Sequence, residues 1–250
     1  ITASGKENIR DNRIEWEHVL PASKMGNHLA CWGSERKQFP QCVKSNGKLK
    51  SGRDCCQKVN DDFRNAHNDL VNLTPAIGEV NADRSNLPYN EIIGEKRSYG
   101  QCDFEYDSLN KVVEPSKKVR GDIARIQLYL LGEYGDKLDF EFSAEKKTML
   151  EQWDNQDPIS DWEIERNKRI CKAQGSGNNL INECNNPKLK DDGANTPNKD
   201  ISLYAQDMIL LLANKKVCRV IAKDSPKTAI EFFVSLSKHN SLHSSAFETL

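Results

Sequence analysis

Alternating apolar and polar positions near the start of the chain predict a β-strand. In "RIEWEHVLPAS", residues 13–23, apolar residues alternate with charged ones, the two-residue period of a strand with one buried face. Pro21 predicts that the strand has ended before it. Glu17 and His18 are neighbours near this end. Because neighbouring side chains on a regular strand face opposite ways, both can serve one site only where the strand ends or bends.

Apolar residues that recur every three or four positions predict helices farther along the chain. Thr74 is predicted to cap the first of these, with Pro75 at its first helical position. Ser160 and Glu163 have the spacing of a capping box. The predicted helices comprise residues 75–86, 120–135 (ending at Gly135), 143–156 (opened by Ser143), 160–175 (ending at Gly175), 201–216 and 225–239.

Two stretches lack sustained periodicity and predict loops. Residues 24–68 are rich in Gly, Lys, Asn and Cys, which predicts a long loop region held by disulfides. Residues 175–200 are rich in Asn, Gly, Pro and charge, which is typical of a linker or a long surface loop.

Composition and charge exclude two classes of protein. The 250 residues are enough for one large domain or two modest ones. Charged residues make up 29% of the chain, and the longest aliphatic run, Ile209–Leu212, is too short to span a bilayer. The formal net charge of −1 argues against a globally basic nucleic-acid binder. Any contact with phosphates must therefore come from local clusters of Lys and Arg.

The eight cysteines form an even set without a C-x-x-C pair, which predicts disulfides in an oxidising compartment. Adjacent Cys55 and Cys56 are expected to bond to other cysteines, since a ring that small strains a disulfide. A zinc site from Cys55, Cys56 and His67 is an alternative, disfavoured because zinc sites usually space paired cysteines by two to four residues. The chain begins at Ile1 without a leader, as expected for a mature, processed or truncated chain.

The Glu17–His18 pair suggests metal-assisted hydrolysis. A histidine can take a proton from water near neutral pH, and a carboxylate can hold Mg²⁺ against the charge of a phosphodiester. A solvated strand-end carboxylate beside a hydrogen-bonded histidine is the structural alternative. Two residues alone do not decide between these interpretations.

Longer blocks add a resemblance to a known family. The segments "EWEHVLPAS", "SGRDC", "DLVNLTPAIGEVNADRSN", "RGDIARIQLYL", "DWEIERNKRI" and "QGSGNN", in this order, resemble the bacterial endonuclease I family of periplasmic and secreted non-specific nucleases. The resemblance covers about residues 9–185. It implies an α+β fold, mostly helical and disulfide-stabilised, with a small antiparallel sheet and a ββα-metal (His-Me finger) active site. We expect a nuclease domain at 1–185 and a helical C-terminal extension at 186–250, packed on the same domain.

The resemblance also implies roles for individual residues. His18 matches the general base, Glu17 and Asn81 match the metal ligands, and Arg53 matches the arginine aimed at the scissile phosphate. The expected metal is Mg²⁺, with Mn²⁺ or Ca²⁺ as alternatives. Candidate cations for a phosphate-binding cleft are Lys48, Lys50, Arg84, Arg166, Lys168 and Arg169.

The implied function is non-specific, Mg²⁺-dependent endonuclease cleavage of DNA, and also of RNA, to 5′-phosphate products, by a secreted or periplasmic monomer. The sequence departs from the family in one block, where Val71 replaces a histidine. His67 is a weak candidate to substitute for it, because it lies a full helical turn away. A catalytically weakened nucleic-acid-binding protein, or a module that binds a protein partner through residues 186–250, are the alternative functions.

Overall fold

Helices predominate over two small antiparallel sheets in the described part of the protein, as a computed structural model shows. The structure describes Arg10, residues 14–94, Tyr99 and residues 103–184. The strands are β1 (Ile14–His18), β2 (Leu73–Ile77), β3 (Phe104–Asp107) and β4 (Val112–Pro115). The α-helices are α1 (Ala22–Gly26), α2 (Gly52–Val59), α3 (Asp61–Asn68), α4 (Gly78–Arg84), α5 (Arg120–Leu138), α6 (Ala144–Gln156) and α7 (Asp161–Gln174). Short 3₁₀ helices comprise Ser34–Gln38, Pro40–Cys42, Leu70–Asn72 and Lys117–Val119. This architecture confirms the predicted fold class.

Strand β1 pairs antiparallel with β2, and α4 follows β2 directly. The predicted helix start at Thr74 and Pro75 is therefore wrong, because both residues lie in β2 and the helix begins at Gly78. Each strand of a two-stranded sheet is an edge strand, which is where a proline without an N–H is tolerated. A Cβ atom at Gly78 would lie 2.6 Å from the carbonyl oxygen of Arg10, so the change from strand to helix needs a glycine there.

Residues 24–68 contain helices α2 and α3, and the prediction of a long loop region is wrong. Ser51 caps α2 by accepting a hydrogen bond from the backbone N–H of Asp54, and Asn60 caps α3 by accepting one from Phe63. Local caps thus begin both helices. The predicted disulfides are present, as Cys31–Cys56 and Cys42–Cys55.

Helix α5 packs against α6 and supplies much of the core. Its side chains Ile123 and Leu130 are fully buried, as are Leu150 and Trp153 of α6. The predicted end at Gly135 is wrong. The helix continues to Leu138, and Asp139 adopts a left-handed conformation with φ of 53°, which ends it. No helix in the described part of the chain is long and apolar enough to cross a membrane.

Helices α6 and α7 begin as predicted. Ser143 caps α6, and Ser160 with Glu163 forms a complete capping box at α7. Gly175, with φ of 82°, ends α7 as predicted. A third disulfide joins Cys171 to Cys184 just beyond it. The predicted helices 201–216 and 225–239, and the extension 186–250, lie outside the described residues.

Candidate active site

Helix α4 lies along the face of β1 that carries Glu15 and Glu17. The Asn81 Nδ2 atom donates a hydrogen bond to Glu15 Oε2 at 2.8 Å, and the guanidinium of Arg84 forms an ion pair with Glu17. Residues two apart share one face of a strand, and residues three apart share one face of a helix. Asn81 and Arg84 therefore contact Glu15 and Glu17 respectively. Glu17 and Asn81 are therefore brought to the same β1–α4 contact. The arrangement of β1, β2 and α4 is consistent with the expected ββα motif.

His18 points away from α4, toward α3. Its Nε2 atom lies 2.8 Å from the backbone carbonyl oxygen of His67. A carbonyl oxygen can only accept, so Nε2 must carry the proton and Nδ1 must be the unprotonated nitrogen. The main chain of α3 thereby fixes the tautomer and leaves Nδ1 as the atom able to take a proton.

Arg53 of α2 reaches this histidine pair. Its Nη2 atom lies 3.3 Å from His18 Nδ1, and its Nε atom donates to His67 Nε2 at 2.7 Å. The rings of His18 and His67 are 4.7 Å apart between centroids. Three elements, β1, α2 and α3, thus bring one cation to the nitrogen that can act as a base.

Burial sets the charge states at the site. Burial, reinforced by the neighbouring Arg53 and Arg84, lowers the pKa of His18 to about 4. Burial also raises the pKa of Glu17, while the ion pair with Arg84 opposes that rise. The His18 imidazole is therefore neutral, and ready to accept a proton, at neutral pH.

The donor set suits a hard cation. Arg84 occupies Oε1 of Glu17, and the amide nitrogen of Asn81 is engaged by Glu15, which orients the amide oxygen as the available donor. Carboxylate and amide oxygens are ligands that Mg²⁺ accepts while it keeps several waters. Within the described residues, no group of three or more His, Cys, Asp or Glu side chains is arranged to hold a metal ion. A site at Glu17 and Asn81 needs only one carboxylate and one amide, so the residues fit the group.

Two of the predicted phosphate-binding cations use their guanidinium groups inside the protein. Arg84 is 2% exposed and, besides Glu17, donates to the carbonyl oxygens of His18 and Val19. Arg166 donates through Nη2 to the carbonyl oxygens of Leu70, Val71 and Leu73 at 2.9–3.1 Å. The structure thus gives both arginines a structural contact, and their binding to nucleic acid stays a prediction.

The other four predicted cations are spread over separate elements. Lys48 and Lys50 lie before α2, where Lys50 Nζ donates to the carbonyl oxygen of Gln41 at 2.6 Å. Lys168 and Arg169 lie on α7, and Arg169 pairs with Glu165 at 2.9 Å. Their role also stays a prediction.

Several residues at the site were missed or misassigned from sequence. Glu15 lies two positions before Glu17 on β1, and Arg84 lies three positions after Asn81 on α4, so strand and helix periodicity could have placed both. His67 is at the site, beside His18, whereas Val71 is fully buried and donates its N–H to Asp69 Oδ1. Cys55 and Cys56 are each disulfide-bonded, which rules out the alternative zinc site there.

Comparisons with known proteins identify the family of the chain. The profile of the family described as Endonuclease I matches residues 2–185. The chain is 41% identical over 177 residues to an extracellular deoxyribonuclease of Aeromonas hydrophila, covering 70% of this chain and 69% of the relative. It is 40% identical over 177 residues to a periplasmic deoxyribonuclease of the same organism, covering 70% and 66%. An Endonuclease-1 of Buchnera aphidicola subsp. Acyrthosiphon pisum (strain APS) is 36% identical over 176 residues, covering 70% and 62%.

The fold, the site and these relatives together define a nuclease, an enzyme that hydrolyses phosphodiester bonds. The chain belongs to the Endonuclease I family, whose members are metal-dependent nucleases. It is a secreted or periplasmic protein. The predicted family, enzyme class and location are confirmed.

Proposed function

We propose that the protein is a Mg²⁺-dependent endonuclease that cleaves DNA and RNA without base specificity and leaves 5′-phosphate ends, with His18 as the general base. One observation carries the proposal: the carbonyl oxygen of His67 fixes the tautomer of His18 so that Nδ1, the unprotonated nitrogen, is the one beside Arg53. A base and a phosphate-binding cation are thus adjacent.

In the proposed reaction, His18 Nδ1 takes a proton from a water molecule, and the water oxygen bonds to phosphorus. The bond between phosphorus and the 3′ oxygen breaks, and the 3′ oxygen leaves with a proton from solvent. Arg53 holds the scissile phosphate, because a guanidinium can donate two hydrogen bonds to phosphate oxygens. Its charge also offsets the charge that develops in the transition state.

Glu17 and Asn81 would hold the metal ion. When bound, Mg²⁺ supplies positive charge against the phosphodiester and its developing negative charge; Mn²⁺ or Ca²⁺ are the alternatives. The ion pair with Arg84 favours the ionised form of Glu17, because it opposes the desolvation that raises the pKa of this carboxyl. An ionised Glu17 is the form that binds a cation.

The proposed substrate range follows from which groups face the site. Arg53 and a metal ion both recognise phosphate, and phosphates carry no sequence information. Three relatives carry names that specify deoxyribonuclease or endonuclease activity, which supports DNA as a substrate.

The family profile ends at residue 185, so we propose residues 1–185 as the nuclease domain and leave the extension 186–250 without an assigned role.

The test incubates supercoiled plasmid and single-stranded RNA with the purified protein in Mg²⁺ or EDTA. We expect both substrates to be degraded in Mg²⁺ alone, with 5′-phosphates at the new ends. Because a general base contributes about 10²–10⁴-fold to a rate, His18→Ala should lower cleavage by a factor in that range.

His28→Ala is the matched control. His28 also places its Nε2 against a backbone carbonyl oxygen, that of Leu138 at 2.6 Å, but it lies outside the site. The His28→Ala variant should therefore cleave like the wild type. The proposal is contradicted if the folded wild-type protein retards the plasmid in a gel but does not cut it in Mg²⁺. That result would favour a protein that only binds nucleic acid.

A further inference from the structure

A cavity of about 450 Å³ has Arg84 in its wall but neither Glu17 nor His18. Its wall includes Val19 and Leu20, the residues that follow His18 in the chain, and residues of α1, α5 and α6. Its size falls within the range of small-molecule sites, about 300–1,000 Å³. The cavity lies next to the candidate active site, because Arg84, which pairs with Glu17, also lines it.

The protected part of this cavity carries positive charge. Arg84 is 2% exposed, and its Nε–H is buried without an acceptor among the described residues. Lys146 of α6 is half-buried and donates to the carbonyl oxygen of Tyr89 at 2.7 Å, which uses one of the three protons of its ammonium group. Burial, with Arg84 and Lys24 nearby, lowers the pKa of Lys146 to about 8. The lysine therefore carries its charge at neutral pH, and no carboxylate among the described residues forms an ion pair with it.

The acidic residues of the cavity lie at its exposed rim. The side chains of Glu91 and Glu141 are 57% and 74% exposed, and they are paired with Arg120 and Lys147 respectively. Glu145 is also exposed, in the first turn of α6. Exposed carboxylates are screened by water and repel a buried anion only weakly. They can accept hydrogen bonds from hydroxyl groups of a ligand.

Apolar side chains complete the wall. Leu20, Phe142 and Met149 also line the cavity, and such surfaces pack against flat, weakly polar rings. A fitting ligand therefore combines an anion, hydroxyl groups and a planar ring within the volume of one small molecule.

We propose that this cavity binds a nucleoside 5′-monophosphate, with the phosphate against Lys146 and Arg84, the ribose hydroxyls at the acidic rim, and the base against the apolar wall. Phosphate and ammonium form charge-assisted hydrogen bonds, which are the stronger kind. The choice of a nucleotide over other phosphate monoesters rests on the proposed function, because an endonuclease that leaves 5′-phosphates releases ligands of this class.

The test measures binding and not cleavage. Adenosine 5′-monophosphate, adenosine and inorganic phosphate are each titrated by calorimetry into the full chain carrying His18→Ala, in EDTA. We expect the monophosphate to bind more tightly than either of its parts. Lys146→Gln should weaken its binding at least about ten-fold, since it removes a charge-assisted hydrogen bond to the phosphate.

Two variants in the same background act as controls. Lys137→Gln removes an exposed cation that pairs with Glu133 outside the cavity, and it should leave binding unchanged. Arg53→Ala should also leave it unchanged, because Arg53 belongs to the catalytic site. If Lys146→Gln does not fold, as judged by circular dichroism, Lys24→Gln at the cavity wall replaces it, with a smaller expected loss.

Three other outcomes overturn the proposal. Equal affinity for inorganic phosphate and the monophosphate would indicate a simple anion site. Loss of binding in Arg53→Ala would place the nucleotide at the catalytic site, and no binding at all would exclude the ligand. Uncut plasmid together with intact nucleotide binding contradicts the proposed nuclease reaction and leaves the cavity assignment standing.

Discussion

At the residue scale, His67 acts on the site through two different groups. Its backbone carbonyl fixes the tautomer of His18, and its ring nitrogen Nε2 accepts from Arg53 Nε. The first contact does not depend on the side chain, whereas the second does. His67 is thus a positioning residue for Arg53, and a substitution can separate the two effects.

We expect His67→Ala to lower kcat about ten-fold, because a misplacement of about 1 Å can cost up to 10²-fold. The carbonyl remains, so His18 keeps its tautomer and the enzyme keeps part of its activity. Steady-state cleavage of an oligonucleotide, with kcat and KM determined separately, checks this.

His67→Gln provides the matched comparison. Its amide oxygen can still accept from Arg53, so it should recover part of the lost kcat. Equal losses in both variants would indicate that the ring acts through packing and not through the hydrogen bond to Arg53.

At the scale of elements, the segment Asp69–Leu73 links α3 to β2 and sets the position of β1. Buried Asn72 bonds to both the N–H and the carbonyl oxygen of Leu20. Asp69 accepts hydrogen bonds from Tyr129 and Tyr134 of α5 and from Gln174 of α7. Arg166 adds its three bonds to carbonyl oxygens of the same segment. The segment thus holds Leu20, two residues after the end of β1 at His18.

Arg166→Met should therefore destabilise the protein by about 3 kcal/mol, since it leaves several buried carbonyl groups without a donor. Urea unfolding followed by circular dichroism measures the change.

Arg169→Met, on the same helix, is the control for that substitution. Its i,i+4 pair with Glu165 is exposed on both sides, and such pairs contribute about 0.3–0.5 kcal/mol. Equal destabilisation by the two variants would show that the carbonyl contacts of Arg166 are not important for stability.

At the scale of the whole molecule, two disulfides fasten the region that carries Arg53. Cys55 and Cys56 lie within one turn of Arg53 on α2, and their partners Cys42 and Cys31 lie in the preceding segment. The third disulfide, Cys171–Cys184, lies at the end of α7. We therefore expect the first two to affect catalysis, and the third to affect stability alone.

The double variant Cys31→Ala/Cys56→Ala should lose at least about ten-fold in kcat under conditions where it remains folded, because the position of α2 is relaxed. The loop that the Cys31–Cys56 disulfide closes also contributes about 3 kcal/mol to the free energy of unfolding. Plasmid cleavage and thermal unfolding, measured side by side, separate the two effects.

Cys171→Ala/Cys184→Ala is the matched control. It should unfold at a lower temperature and cleave like the wild type below that temperature. A similar loss of kcat in both double variants would contradict a specific link between the first disulfides and Arg53.

The sequence predicts those parts of the fold that local chemistry determines. The starts of α6 and α7 follow from Ser143 and from the Ser160–Glu163 capping box, whose partners are three residues apart. Helix α2 was not predicted because cysteines, and not aliphatic residues, fill its buried positions. Helix α3 buries only Phe63 and Ala66, which are too few to show a helical period. Strand β2 was missed because a proline such as Pro75 is tolerated in a strand only at the edge of a sheet. Whether a strand lies at an edge depends on the tertiary structure and not on the local sequence.

The candidate site shows the same division. The resemblance identified Glu17, His18, Arg53 and Asn81, but the contacts among them join residues far apart in the chain. Strand and helix periodicity could have placed Arg84 beside Glu17, but the sequence offers no sign that Arg166 turns inward. Charge alone suggested that both would face nucleic acid.

The disulfides that hold α2 have a consequence for the cell that makes the protein. In the reducing cytoplasm their four thiols remain unpaired, so a newly made chain lacks the fastening that positions Arg53. We expect such a chain to cut poorly, and to reach full activity only after it has left the compartment that contains the chromosome. Oxidation on export would then protect the producing cell from its own enzyme without a separate inhibitor.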